Sequence, residues 1–335
     1  MFPRPLFRAL LGIGARLGRP VVSEGQRLDP TMAALLRQAR RMPASRAGIA
    51  ALRQQYSGLA GLAGLIPEPG VKTRATVAAG RPARLYEPPQ AAPGSLLYFH
   101  GGGFIMGGLD SHDRLLRRLC AQARLPILAV DYRLAPEHPY PAAHDDALAA
   151  LREALVTLPA PLAVGGDSAG ANLAASACLD QPGGALQCLI YPIVDAVAEE
   201  AERYPSAARY GRGFLLDLED MRDCAALLSP GGHAAHVDWG GRRLSPMRHD
   251  LGRMPPALIT AAGFDPLRDQ AYAYAAALRR AGVPASVWLE PALIHGFADF
   301  AGAVPEARRA VDRIAARLRA ALDQRRLLPT RAASG

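Results

Sequence analysis

Lysine is nearly missing from this chain: of its 39 basic residues only Lys72 is not arginine. Aromatics are few, at 6%, and nowhere do they interleave with a basic stripe, so a nucleic-acid surface is not expected. Cys120, Cys178, Cys188 and Cys224 form no close pair, which excludes a zinc ribbon or a C-x-x-C redox motif. No window approaches the roughly 18 consecutive apolar residues of a membrane-spanning helix. There is no G-K-[ST] for a P-loop, and HGGGFIMGG misses G-x-G-x-x-G because Met106 takes the last glycine position. His233 and His236 are three apart without nearby acidic or cysteine partners, so no metal site is expected. Near the start the apolar run Ala9 to Ala15 is at the short limit of a signal-peptide core, and arginines flank it. It reads as a short amphipathic helix, and a reduced, cytoplasmic protein is expected.

What is present is 335 residues, half of them hydrophobic, enough for one large catalytic domain with an added lid. The formal charge of +9 is unevenly placed. Residues 1–55 hold ten Arg against two acids, and residues 306–335 hold eight Arg against three. Residues 56–305 carry 21 basic against 25 acidic side chains, so the middle is mildly acidic. The basic ends are expected to be solvated helix faces. Docking of the N-terminus on an acidic membrane surface is the alternative.

Apolar runs bounded by turn residues occur at 95–100, 126–132, 162–167, 185–191, 256–262 and 285–290 and predict buried strands. Helical periodicity fills 111–124, 141–157, 169–179, 268–281 and 305–325. This alternation predicts an α/β fold: a mostly parallel central sheet with helices on both faces. Residues 1–70 read as helical without a strand, and about 196–240 as a polar insertion without one. Together they could form a helical cap over a catalytic domain spanning 71–325. The end of the chain, from about Gln324 to Gly335, is expected to fray, with 326–335 a flexible tail.

The chemistry starts at Gly166-Asp167-Ser168-Ala169-Gly170, a G-x-S-x-G run between an apolar strand and a helical segment. A sharp strand-to-helix turn there needs small residues around the serine and lifts its hydroxyl above the sheet. Asp167 belongs to the turn and points elsewhere. A serine hydroxyl needs a base, and the base an orienting acid, in the chain order Ser, Asp or Glu, His. His295, after the last strand, is the best-placed base. His233 and His236 fall in the proposed cap, His249 in a polar turn, and His112, His138 and His144 before the serine. Asp265 follows a strand directly and is the expected acid, with Asp269 as rival. Asp265 could also cap the helix beginning at Pro266 or Leu267. Backbone N–H groups of Gly102, Gly103 and Ala169 are the candidates for an oxyanion hole, and His100 shapes that loop. Phe104, Ile105, Met106, Phe214 and Leu215, with Leu216, could line an apolar acyl pocket or equally pack the core and cap.

HGGGF, GLDSHD, DYRLAPEHPYPAA, GDSAGAN, AAGFDPLRD and IHGF, in that order between about Gly70 and Phe297, resemble the hormone-sensitive-lipase family of alpha/beta-hydrolases, in its bacterial carboxylesterase branch. The resemblance implies the alpha/beta-hydrolase fold, the triad Ser168, Asp265 and His295, the oxyanion hole named above and a helical cap. It implies no cofactor, a small-molecule ester as substrate and, since family members often pair through an edge strand, a homodimer as an open expectation. Asp131, Arg133 and Glu137 would brace the loop near the site. The chain departs from the pattern at Ala171 and Ala292, where glycine is common. The expected function is serine ester hydrolysis through an acyl-enzyme, on short- to medium-chain acyl esters. The alternatives are a membrane-surface lipase and a non-catalytic ligand receptor on the same fold, which would be expected to have lost a triad member.

Overall fold

The computed structural model describes residues 4–39, 48–197, 203–229, 231 and 237–327. His233, His236 and the tail from 328 lie outside the described residues. The N-terminal segment contains α1 (Arg4–Leu17), a two-stranded hairpin of β1 (Val22–Ser23) and β2 (Gln26–Arg27), α2 (Pro30–Ala39) and α3 (Ile49–Ala63). That hairpin corrects the strandless reading of residues 1–70; with two residues per strand it offers no alternation for a pattern to reveal.

The main sheet follows with β3 (Lys72–Ala78), β4 (Arg81–Glu87), β5 (Ser95–Phe99), α4 (Leu109–Ala123), β6 (Ile127–Val130), α5 (Ala142–Thr157), β7 (Leu162–Asp167), α6 (Ala169–Asp180) and β8 (Leu186–Ile190). Short α7 (Pro205–Tyr210) and α8 (Leu218–Leu228) interrupt it before β9 (Ala257–Phe264), α9 (Arg268–Arg280), β10 (Ala285–Ile294) and α10 (Pro305–Leu327). All six predicted strands and all five predicted helices are present within a few residues, and α10 carries helix past Gln324 to Leu327. The eight strands lie in the order β10-β9-β8-β7-β5-β6-β4-β3. From β10 to β6 they are parallel, and β3 and β4 add antiparallel at the far edge.

Alternation within the buried strands sorts the core into two layers. Leu96 and Tyr98 of β5 join Leu115 and Leu119 of α4 and Val311 and Leu318 of α10 on one face. Leu97 and Phe99 join Ala150 of α5, Leu173 of α6 and Tyr274 of α9 on the other. The strand-rich hairpin β3–β4 escapes sequence reading because β3 is exposed over most of its length. Its turn places Ala79 and Gly80 both at positive φ, the geometry a two-residue hairpin favours.

The arginines at the two ends are only partly solvated, which corrects the simple expectation. Arg4 donates to the carbonyl of Gly61, Arg37 to that of Gly14 at 2.7 Å, and Arg313 pairs with Glu290 and Glu306. Arg317 lies over the Trp288 ring at 4.5 Å. No described helix is long and apolar enough to cross a membrane.

Candidate active site

Every residue predicted to carry chemistry sits at a carboxyl end of the central strands. Ser168 links β7 directly to α6 with φ 53° and ψ −118°, a left-handed conformation that a non-glycine residue adopts at a cost. The turn is closed so tightly that a side chain at Gly170 would run into the Phe99 carbonyl, and one at Gly166 into Gly170 itself. Asp265 follows β9, and His295 follows β10. His295 Nε2 stands 2.8 Å from Ser168 Oγ, and Nδ1 stands 2.9 Å from Asp265 Oδ2. Asp265 Oδ1 also accepts the Leu267 N–H at 2.7 Å, so the same carboxylate orders the turn into α9. Asp265 is fully buried and His295 nearly so. The rival Asp269 is turned away, accepting the Ser206 N–H at 2.8 Å and an Arg268 N–H at 3.1 Å.

Gly102 and Gly103 have φ of 118° and 61°, and the Gly102 carbonyl accepts the N–H groups of Ile105 and Met106, closing the loop on itself. The N–H groups of Gly102, Gly103 and Ala169 have no acceptor among the described residues. For Ala169 this follows from its place at the start of α6, where helical N–H groups lack internal partners. Three free donors therefore stand on the segments flanking Ser168.

The other histidines do different work. His144 Nε2 meets Asn172 Oδ1 at 3.0 Å, and burial lowers its pKa to about 4. His249 Nε2 meets the Gly240 carbonyl at 3.0 Å. His100 is a loop-shaping group as expected: it stacks on Tyr132 at 4.2 Å, and its Nδ1 meets the Gly101 carbonyl at 2.8 Å. Burial pushes its pKa down to about 3, so it is neutral.

His112, set aside in the sequence because it precedes the serine, proves to be the centre of a buried polar network. Its Nε2 is 3.3 Å from Asp167 Oδ1 and 3.8 Å from Asp299 Oδ1. Burial opposes its charge, but Asp167 and Asp299 prevail and lift its pKa to about 9. Asp167 Oδ1 also accepts the Tyr98 hydroxyl at 2.8 Å and the Gly101 N–H at 2.9 Å. Asp299 accepts the Tyr56 hydroxyl at 2.9 Å; burial raises its pKa to about 6 against the pull of His112. Thus the turn aspartate does point away from Ser168, and it grips the glycine loop from beneath.

Arg53 of α3 holds the same loop from above. Its Nε donates to the Ile105 carbonyl at 2.7 Å, and Nη2 donates to the Ala135 carbonyl at 2.9 Å. Its two terminal nitrogens meet the Glu137 carboxylate at 2.8 and 2.7 Å. Arg133 braces the neighbouring segment through Asp146 at 2.8 Å, and the Asp131 N–H donates to the Pro82 carbonyl at 2.9 Å. No sequence signal distinguished Arg53 from the other nine arginines of its segment. Arg53→Ala should lower kcat/KM about tenfold to a hundredfold by letting the glycine loop shift. Steady-state rates with and without added free guanidinium check this: partial recovery is expected, and an unchanged kcat/KM in the variant would show the clamp to be dispensable.

Phe104 and Ile105 are buried in the core layer, whereas Met106, Phe214 and Leu215 are partly exposed. Phe214 packs on Phe264 and Tyr210, and Leu215 reaches to 3.8 Å from the Cβ position of Gly296, beside His295. Cys224 of α8, not anticipated, places its Sγ 2.9 Å from the Cβ position of Gly103. Ala171 is fully buried in α6, and the Ala292 carbonyl accepts the Asp29 N–H at 2.8 Å, tying the N-terminal segment to the end of β10.

Residues 96–299 match the family model described as alpha/beta hydrolase fold. The chain belongs to the alpha/beta-hydrolase family. Within it the match is to the hormone-sensitive-lipase-like branch. This hydrolase is similar to the carboxylic ester hydrolase LipN of Mycobacterium tuberculosis, 37% identical over 84% of this chain and 79% of the relative. It is 39% identical to the ethyl acetate hydrolase of Pseudomonas putida over 68% of this chain and 74% of that one. Among solved structures, an esterase from the archaeon Pyrobaculum calidifontis superposes with a TM-score of 0.76 at 31% identity, covering 88% of this chain and 98% of that one. A thermostable esterase from Pseudomonas putida gives 0.79 at 26% identity, covering 90% and 99%.

Proposed function

We propose that this hydrolase cleaves carboxylic esters through an acyl-enzyme on Ser168, with short- to medium-chain acyl groups as substrates. That it is an ester hydrolase agrees with every relative named above. The observation that carries the serine mechanism is the unbroken series from Asp265 through His295 to Ser168, at 2.9 and 2.8 Å.

His295 Nε2 takes the Ser168 proton as Oγ attacks the ester carbonyl, and Asp265 holds the Nδ1–H tautomer and stabilises the imidazolium that forms. The carbonyl oxygen becomes an oxyanion, accepted by the N–H groups of Gly102, Gly103 and Ala169. The bond to the alcohol oxygen then breaks, and His295 returns its proton to that oxygen. Water repeats the sequence on the acyl-enzyme, freeing the acid and restoring Ser168. Residues 1–70 and the segment carrying α7 and α8 serve as the cap. The closeness of Leu215 to Gly296 and of Cys224 to Gly103 supports a confined acyl space.

A p-nitrophenyl ester series from acetate to palmitate, run beside Ser168→Ala and with a fluorophosphonate probe, tests this. Hydrolysis should be fastest for short and medium chains, and both hydrolysis and labelling should vanish in Ser168→Ala. A parent that neither hydrolyses nor labels defeats the catalytic reading; a preference for palmitate replaces it with a lipase.

A further inference from the structure

The outward face of α1 is apolar. Leu6, Leu10, Ile13 and Leu17 are 46%, 41%, 55% and 82% exposed, and their spacing of four, three and four places them in one seam. Leu11, with Phe7 and Ala15, faces the body of the protein instead. An ordinary surface helix buries such an inward face but turns polar side chains to solvent on the other. Val22, at the start of the hairpin, adds a further large apolar side chain at 62% exposure. A continuous exposed apolar seam marks a surface that something covers.

Charge says what covers it. Arg16, Arg19 and Arg27 are exposed beside the seam, and none forms an ion pair among the described residues. The two acids of the segment are already engaged: Glu24 pairs with Arg209 and Arg268, and Asp29 accepts the N–H groups of Thr31 and Met32. Where α1 runs into the hairpin, Arg19, Arg27 and Arg37 come together with Ala15 and Val21 around a shallow depression. An apolar strip bordered by exposed arginines without ion-pair partners among the described residues matches a layer whose interior is hydrocarbon and whose surface is anionic. A second copy of this chain fits poorly, because two-fold pairing along the seam would bring like arginines together.

We propose that α1 and the β1–β2 hairpin dock this protein on an anionic phospholipid surface, with Leu6, Leu10, Ile13 and Leu17 entering the acyl boundary and Arg16, Arg19 and Arg27 meeting the phosphates. The hairpin adjoins the site: Asp29 is bonded to Ala292, three residues before His295, and Glu24 to Arg268, three after Asp265. Docking therefore sets the carboxyl end of the sheet near the lipid. The binding itself does not depend on the catalytic reading.

Sedimentation with vesicles of mixed phosphatidylglycerol and phosphatidylcholine, against pure phosphatidylcholine, tests this on the full chain. The parent should bind the anionic vesicles at least about tenfold more tightly, and high salt should weaken that binding. Leu10→Glu with Leu17→Glu, and separately Arg19→Glu with Arg27→Glu, should each lose about tenfold or more of it. Both should keep parental hydrolysis of a water-soluble ester, because Leu10, Leu17, Arg19 and Arg27 are exposed to solvent and have no part in enclosing the acyl space. Equal binding to neutral vesicles, retention by the variants, or competition by inorganic phosphate with no vesicle binding would each overturn the proposal. So would light scattering that finds a dimer dissociated by the leucine variants without any lipid binding.

Discussion

Replacing Asp265 by Asn should lower kcat on a soluble ester by about 10⁴-fold while leaving the fold intact. The reason lies in which protons each oxygen meets. Oδ1 accepts the Leu267 N–H at 2.7 Å, and an asparagine oxygen can keep that bond. Oδ2 faces His295 Nδ1 at 2.9 Å; an amide NH₂ there donates instead of accepting. The imidazole then carries its proton on Nε2, and the nitrogen 2.8 Å from Ser168 Oγ can no longer take the serine's proton. Initial rates and a thermal melt together make the check. A loss of rate with an unchanged melt is expected; near-parental kcat would remove Asp265 from the mechanism.

Asp167→Ala should be strongly destabilising, by about 3–5 kcal/mol, because it leaves the buried His112 charge with only the more distant Asp299 as partner. The lost carboxylate also strands the Tyr98 hydroxyl and the Gly101 N–H. His112 gives this network a pH signature. Its pKa in the fold is raised to about 9 from an ordinary 6.5, so the folded chain binds its proton more tightly than the unfolded chain does. The stabilisation is complete below about pH 6.5 and is lost as pH rises through about 9, with a size on the order of 3 kcal/mol. Urea unfolding of the parent should show stability declining across that window, and His112→Gln should flatten the decline. Asp299, raised by burial to about 6, adds a loss of the same sign at lower pH. A parent whose stability is level between those pH values would mean that His112 is not held charged.

The part of this arrangement that could be read from the sequence is the part written in runs and order. Strands β5 to β9 are buried, and they and the half-buried edge strand β10 spell themselves as apolar stretches; Ser168, Asp265 and His295 follow one another in the order the proposed chemistry requires. Strands β3 and β4 stay hidden because they form the exposed antiparallel edge, where Lys72, Arg74, Arg81 and Arg84 replace the apolar run. Asp167 is legible as a turn residue, but whether its carboxylate turns toward Tyr98 or toward His295 depends on neighbours from other strands. Arg53 was one arginine among ten; only the approach of α3 to the Ile105 carbonyl distinguishes it. The exposed leucine seam of α1 has the periodicity of any amphipathic helix, and the sequence does not say which side faces water.

Ser168 and His295 lie 127 residues apart in the chain yet share a hydrogen bond. Strand β8 stands between the strands that deliver Ser168 and Asp265, and β10 beyond them delivers His295. The proposed reaction centre is thus an assembly product: no contiguous fragment ending before β10 can possess all three of its side chains. If Ser168 is the nucleophile, its turn alone, made of β7 and α6, would stay chemically silent until β10 joins the sheet. On the proposed mechanism, turnover would therefore report completion of the sheet from β7 through β10.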